Sequence, residues 1–187
     1  NIRSAKMNST SATFDQTAGK VSLRGNVEIN VRSGNEVEGR VTDFRSSEAV
    51  ASFATFAGES TQIKKFELVD NVRIVTAQNR QESTTIDAGY AMYDKSADRF
   101  ELRNGTHIVT IANEKATDIR SSEAVFEQSD RKLELIGGVE ITQGGDFLKG
   151  DAVYANLFPG NKIKDAIVRG SAYARQEGPE RNTAIRS

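Results

Sequence analysis

The chain is 187 residues long, with 25 Lys and Arg against 26 Asp and Glu, one His, no Cys and no Trp, a length that fits one ordinary domain. A net charge of −1 with both signs interspersed leaves no basic stripe for nucleic acid and no basic membrane-surface helix. The lack of Cys removes disulfides, thiol nucleophiles and thiolate metal sites together, no apolar run approaches the roughly 18 residues of a membrane span, and nine Phe with four Tyr argue for a packed core.

The first element in chain order is "SATFD", residues 11 to 15, in which an Ala stands two residues before an aromatic. After the turn "DQTAGK" comes "KVSLRGNVEINV" from Lys20, where Val21, Leu23, Val27, Ile29 and Val31 share one parity and Ser22, Arg24, Asn26, Glu28 and Asn30 the other. A two-residue period predicts a half-buried strand and not a helix. The string "RSSEA" at 45 to 49 returns at 120 to 124, and the surplus residues around "ASFATFAGES" mark an insertion near 45–62 that enlarges the first repeat. From Lys65 "KFELVDNVRIV" repeats the strand pattern with Phe66, Leu68, Val72 and Ile74. "YAMYD", ending at Asp94, leads through "DKSADR" to "RFELRNGTHIV" with Phe100, Leu102 and Ile108, and "EAVFE", ending at Glu127, leads through "EQSDRK" to "KLELIGGVEIT" with Leu133, Leu135, Val139 and Ile141. A last, looser copy pairs "DAVYA" with "DAIVRGSAYA" from Asp165, and the polar stretch 175–187 reads as a loose tail.

Anchored on Leu23, Leu68, Leu102, Leu135 and Ile167, the steps are 45, 34, 33 and 32 residues. In three units the aromatic lies nine residues before the anchor, as in Phe126 to Leu135. Each anchor is followed by a small or turn-forming pair, Gly25-Asn26, Asp70-Asn71, Asn104-Gly105, Gly137-Gly138 and Arg169-Gly170, which predicts a bulge or bend in a strand that continues. A two-strand unit of roughly 33 residues cannot bury its own apolar face, so neighbouring units must stack. The expected architecture is all-β: an elongated, V-shaped stack of antiparallel strands, about five repeats, in a single domain over residues 1–174.

The chemistry-bearing residue types are sparse. His107 takes the place of the Glu in "VEI" on the polar parity, where an exposed or rim position is expected rather than a catalytic base. Asp146 and Asp151 could hold Ca²⁺ or exchange protons, but turn and strand-edge use explains them, and Gly144-Gly145 lacks the Lys-Ser/Thr and helix of a phosphate loop. Lys20, Lys65, Arg99 and Lys132 recur at strand starts, either as edge-protecting charges or as contacts for phosphate groups. No catalytic residue, metal or cofactor is expected, and any signal or membrane anchor is expected to lie outside this stretch.

The order A-x-aromatic, short turn, "L-x-G-x-V-x-I", then "GGDFLKGDAVYANL" resembles the OstA-like family of periplasmic lipopolysaccharide-transport proteins, most clearly over residues 123 to 174. The resemblance implies a twisted β-jellyroll that holds lipid A acyl chains in an apolar groove, and a role in the protein bridge that carries lipopolysaccharide from inner to outer membrane. Carried onto this chain, it makes the interior set lipid-facing: Phe14, Leu23, Val27 and Ile29; Phe66, Leu68, Val72 and Ile74; Tyr93, Phe100, Leu102 and Ile108; Phe126, Leu133, Leu135, Val139 and Ile141; and Tyr154. It also implies a periplasmic location, partners among other jellyroll proteins joined head to tail through edge strands, copies of itself included, and indirect links to an inner-membrane ABC transporter and an outer-membrane translocon.

Two other readings remain open at this point. The apolar set could fill a closed sandwich core, giving an envelope scaffold that self-associates through edge strands without lipid. A carbohydrate-active β-helix enzyme would need clustered acids and shorter coils, which steps of 32 to 34 residues oppose.

Overall fold

The alternation of β-branched and aromatic residues with polar ones becomes strand almost throughout. A computed structural model describes residues 2–34, 39–54, 62–78, 82–112, 114–157, 163–176 and 183–186. The strands are β1 (Ile2–Asn8), β2 (Ser11–Asp15), β3 (Lys20–Ser33), β4 (Arg40–Ala54), β5 (Gln62–Gln78), β6 (Glu82–Asp94), β7 (Arg99–Arg103) and β8 (Thr106–Ala112). They continue with β9 (Lys115–Ser121), β10 (Glu123–Glu127), β11 (Lys132–Gln143), β12 (Asp146–Leu157), β13 (Ile163–Arg169), β14 (Tyr173–Gln176) and β15 (Thr183–Arg186). All pairings are antiparallel, and the whole is one 15-stranded sheet. The all-β architecture expected from the sequence is what is found.

One sheet here has two walls. In wall A the pairing runs β2, β3, β4, β5, β6, β7, β10, β11, β12, β13; in wall B it runs β1, β3, β4, β5, β6, β8, β9, β11, β12, β14, β15. The six long strands β3, β4, β5, β6, β11 and β12 belong to both, and the register slips where each passes from one wall to the other, between Arg24 and Val27, Val69 and Val72, and Ile136 and Val139. Those slips are the small-residue pairs of the sequence repeat. Asn26, Asp70, Asn71, Asn104, Gly25, Gly105, Gly137 and Gly138 all have positive φ, so the bend uses left-handed backbone that Gly, Asn and Asp adopt at least cost.

Polar side chains seal three of these bends. Thr10 donates from its backbone N–H (2.9 Å) and its Oγ1 (3.1 Å) to the Gly25 carbonyl. Ser122 likewise donates from N–H (2.8 Å) and Oγ (3.1 Å) to the Gly137 carbonyl, and Asn71 Nδ2 donates to Ser47 Oγ at 3.1 Å. The Thr10 and Ser122 contacts satisfy carbonyls at the slip in the ladder.

The hairpin turns are equally regular. Gly19, Asp98 and Arg131, each the residue before its strand, have φ of 58°, 47° and 52°. Asp15 Oδ1 accepts from Ala18 N–H at 2.9 Å, and Asp94 Oδ1 from Ser96 N–H at 2.9 Å and Ala97 N–H at 3.2 Å. The nine-residue aromatic-to-anchor spacing is the register this turn imposes: Ala124 faces Leu135 and Phe126 faces Leu133, as Ala91 faces Leu102 and Tyr93 faces Phe100.

Two expectations need correction. Tyr154 does not point inward: it pairs with Glu134 and Ile167 on the outer face, with the Arg169 guanidinium 5.1 Å from its ring centroid, while Val153 and Ala155 are the buried residues of β12. Ile167 is likewise 58% exposed, and Val168 is the residue that packs against the core. With Val168 as anchor the last step becomes 33 residues, equal to the one before. The tail also contains structure, since Thr183–Arg186 pairs with Tyr173–Gln176. Of the insertion, residues 55–61 lie outside the described residues, and the rest lengthens β4.

Gly137 and Gly138 offer a test of the bend. A Cβ on Gly137 would lie 2.5 Å from Ser122 Oγ, whereas one on Gly138 would meet nothing within 4 Å, although φ is +82° and +62° respectively. Both Ala variants should lose about 1 kcal/mol to backbone strain. Gly137→Ala should lose a further 1–2 kcal/mol by displacing Ser122 from its hydrogen bonds. Urea denaturation of the two variants checks the order, and equal losses would show that the seal does not matter.

Candidate binding groove

Cross-strand register sorts the inner face into rows that run at right angles to the strands. Nearest the bend in wall A is Ala12, Leu23, Ala49, Leu68, Ala91, Leu102, Ala124, Leu135, Val153, Val168, with Ala and Leu alternating strand by strand through Leu135. At the bend itself stand Val27 with Ser46, Val72 with Ala88, Thr106 with Ser121, and Val139 with Gly150. Small residues opposite large ones let the walls close on each other. Leu68, Leu102, Leu135, Val27, Val72 and Val139 are thereby no more than 2% exposed. Each such side chain contributes on the order of 1.5–3 kcal/mol by leaving water.

The next row outward in wall A is Phe14, Val21, Ala51, Phe66, Tyr93, Phe100, Phe126, Leu133, Ala155. Its counterpart in wall B is Met7, Ile29, Phe44, Ile74, Ile86, Ile108, Ile119, Ile141, Leu148. Phe66, Tyr93, Phe100, Phe126, Leu133, Ile108 and Ile141 are half-buried, whereas Ile29 and Ile74 are buried. Phe14 is on the inner face but 66% exposed, because β2 pairs with β3 alone and lies at the end of the wall. With strands about 4.8 Å apart, the ten strands of wall A make a trough roughly 45 Å long.

Between the walls lies a cavity of about 300 Å³ lined by Phe44, Phe66, Leu68, Ile74, Ala91, Met92, Tyr93, Phe100 and Gln128. That volume is at the lower end of small-molecule sites. Tyr93 turns its ring into it and ties its hydroxyl to Asp98 Oδ1 at 3.3 Å, so the polar end stays at the turn; burial and the adjacent Asp98 hold its pKa above the ordinary 10.0.

The candidates named from the sequence therefore divide. Leu23, Leu68, Leu102, Leu135, Val27, Val72 and Val139 pack the bend; Phe66, Tyr93, Phe100, Phe126, Leu133, Ile29, Ile74, Ile108 and Ile141 form the walls; Phe14 caps an end and Tyr154 faces out. Sequence reading missed Phe44, Ile86, Ile119 and Leu148, which pack against the same core. It also missed a hydroxyl row outside the Ile row of wall B, Thr42, Thr76, Thr84, Thr110, Thr117, Gln143. Thr42 and Thr76 hydroxyls are 3.2 Å apart, Thr84 and Thr110 3.3 Å, and Gln143 Nε2 donates to Thr117 Oγ1 at 2.7 Å. The only sequence sign was the recurrence of a Thr two positions beyond an Ile or Phe.

The outer face is a lattice of opposite charges. Arg24 pairs with Glu48, Arg45 with Glu28, Arg73 with Asp87, Lys149 with Glu140, and His107 Nε2 lies 2.8 Å from Asp118 Oδ2, whose carboxyl is held below its ordinary 3.8 chiefly by that hydrogen bond. Three of the four recurring strand-start cations, Lys65, Arg99 and Lys132, are on this face, each bridged to a carboxylate, at Glu67, Glu101 and Asp130. Phosphate contacts at the groove mouth gain no support there. Gly144-Gly145 is a two-residue hairpin turn between β11 and β12. Among the described residues no group of three or more His, Asp or Glu could hold a metal.

Behind wall A the Tyr90 hydroxyl donates to Glu67 Oε1 at 2.6 Å, and Arg103 stands 5.9 Å over the Tyr90 ring. Burial pushes the Glu67 carboxyl up, but the Tyr90 and Lys65 hydrogen bonds outweigh it and the net pKa lies below the ordinary 4.5. A carboxyl lowered on folding stabilises above its unfolded pKa, and that contribution fades as pH falls through the folded value. Tyr90→Phe should thus cost about 1–2 kcal/mol at pH 7 and less at an acid pH below the lowered pKa of Glu67. Denaturant midpoints at the two pH values read this out, and a pH-independent loss would assign the effect to packing.

No protein-family model matches the chain, and no curated protein matches it. Among solved structures it is similar to LptH of Pseudomonas aeruginosa, described as the LptA homologous periplasmic component of the conserved lipopolysaccharide transport device. The two are 10% identical, the match covers 88% of this chain and 94% of that one, and the TM-score is 0.33. The likeness is thus long and loose, and no residue role passes across it. What the strands themselves define is a class: an all-β antiparallel sheet folded on itself into a trough, of the kind the sequence repeat resembles.

Proposed function

We propose that this chain is a non-enzymatic lipid carrier that holds the acyl chains of lipopolysaccharide between its two walls, as one segment of a periplasmic bridge from inner to outer membrane. The observation that carries the reading is the pair of facing aromatic and aliphatic rows, left half-buried around a cavity of about 300 Å³. A closed core has no use for rows left half-exposed; an alkyl chain laid between them gains about 0.8 kcal/mol for each methylene removed from water. The sequence repeat supports the same reading through its resemblance to the OstA-like proteins.

Location and partners follow from that reading. No helix among the described residues is long and apolar enough to cross a membrane. Among the described residues β1 and β2 pair only with β3, β13 only with β12 and β15 only with β14, so each end of the trough offers a strand with one side open to another jellyroll or a second copy. Residues 1–174 act as one domain in this scheme. A scaffold without lipid is favoured by one observation, the complete burial of Leu68, Leu102 and Leu135 by protein alone.

The two are separated by a photoreactive phenylalanine analogue placed singly at Phe100, Ile108 or Ile141, with Arg24 on the outer face as control. Irradiation with lipopolysaccharide should cross-link the three wall sites and not Arg24. Folded protein that cross-links at none of them would leave the scaffold.

A further inference from the structure

Two rings meet across the trough. Phe44 stands on wall B between Ile29 and Ile74, and Phe66 stands on wall A between Ala51 and Tyr93. Their centroids are 5.7 Å apart with planes at 81°, an edge-to-face contact. The other close ring pair among the described residues, Phe147 with Tyr173, lies within wall B. The Phe44–Phe66 contact therefore bridges the two walls, and the cavity lies directly against it, reaching on to Tyr93, Phe100 and Gln128.

We propose that Phe44 and Phe66 are a clasp that an alkyl chain must part to reach or leave the cavity, so that the pair sets the rate of exchange more than the affinity. The proposal rests on the lipid-carrier reading. An edge-to-face pair favours its closed form by up to about tenfold, enough to keep the walls bridged and little enough to open on thermal motion. Both rings are only half-buried, and Ala51, the neighbour of Phe66 in its row, carries no bulk to pin the ring on that side. A ring pair fixed in a filled core would be enclosed on every side; this one has protein behind it and a void in front.

The test follows dansyl-undecanoic acid by stopped-flow fluorescence. Phe44→Ala should raise the association and dissociation rates together by about tenfold, with the dissociation constant changed by less than about threefold. Phe44→Leu, which keeps bulk and drops the ring pair, should do the same to a smaller degree and guards against a folding defect in the Ala variant. Arg24→Ala, on the outer face, should leave both rates unchanged. Because the chain has no cysteine, Phe44→Cys with Phe66→Cys can be bridged by a short reducible thiol cross-linker, which should block uptake until it is cleaved. Unchanged rates in both Phe44 variants and in the bridged protein, with normal probe binding, overturn the clasp and leave the carrier intact. A faster dissociation matched by an equal loss of affinity reduces Phe44 to an ordinary wall contact. Folded wild-type and Phe44→Ala protein that both fail to bind the probe refute the carrier reading and the clasp with it.

Discussion

A sheet with one apolar face can hide that face only against something else, and this chain hides it against itself. Everything depends on the line of left-handed residues at which strand after strand turns from wall A into wall B. Two consecutive positive-φ positions shift the register by one residue. Because side chains alternate, such a shift would normally swap faces. Here the swap falls on the partner strand β12, whose inward set passes from Val153 to Leu148, while Leu135 and Val139, four residues apart on β11, keep one parity and both point inward. The Thr10, Ser47 and Ser122 contacts then close the gap the bulge opens.

Burial falls steadily with distance from that line, and the gradient makes a trough out of what would otherwise be a core. At the bend the walls are too close for anything but protein, and alternating Ala and Leu fill the space without residue. One row further out the walls stand apart except where Phe44 meets Phe66, and the Phe and Ile rows keep part of their surface uncovered. The row after that in wall B is hydroxyl-bearing, with Thr side chains bonded in cross-strand pairs. An amphipathic molecule meets the same sequence in the same order: chain at depth, polar groups at the lip.

The repeat and its bends were legible in the sequence because both are local. Nine residues from Phe126 to Leu135 is a hairpin with a fixed turn, and Gly137-Gly138 is a bend wherever it stands in an alternating strand. Tyr154 was misplaced because "DAVYA" copies the motif but not its spacing: thirteen residues, not nine, separate it from Ile167, and the two are direct cross-strand partners. Phe44, Ile86 and the Thr row were invisible for another reason. Each is a single residue on a mixed-polarity strand, and only pairing with distant strands lines them up into rows.

The outer face limits what kind of recognition is available. Its charges are arranged as opposite neighbours across strands, so the near-zero net charge of the chain reflects local pairing and not two opposed patches. Three of the four cations at strand starts are held by Glu67, Glu101 and Asp130, and turning one to an anionic headgroup would give up that ion pair. Glu101 makes this costly, since it is 5% exposed between Arg99 and Arg103. Affinity in such a molecule must come from the apolar walls. A ligand held in that way is bound by area and shape, with no single directional contact to break. It can move along the rows in small steps, each exchanging one set of methyl and ring contacts for a similar one, and that is the property a conduit requires.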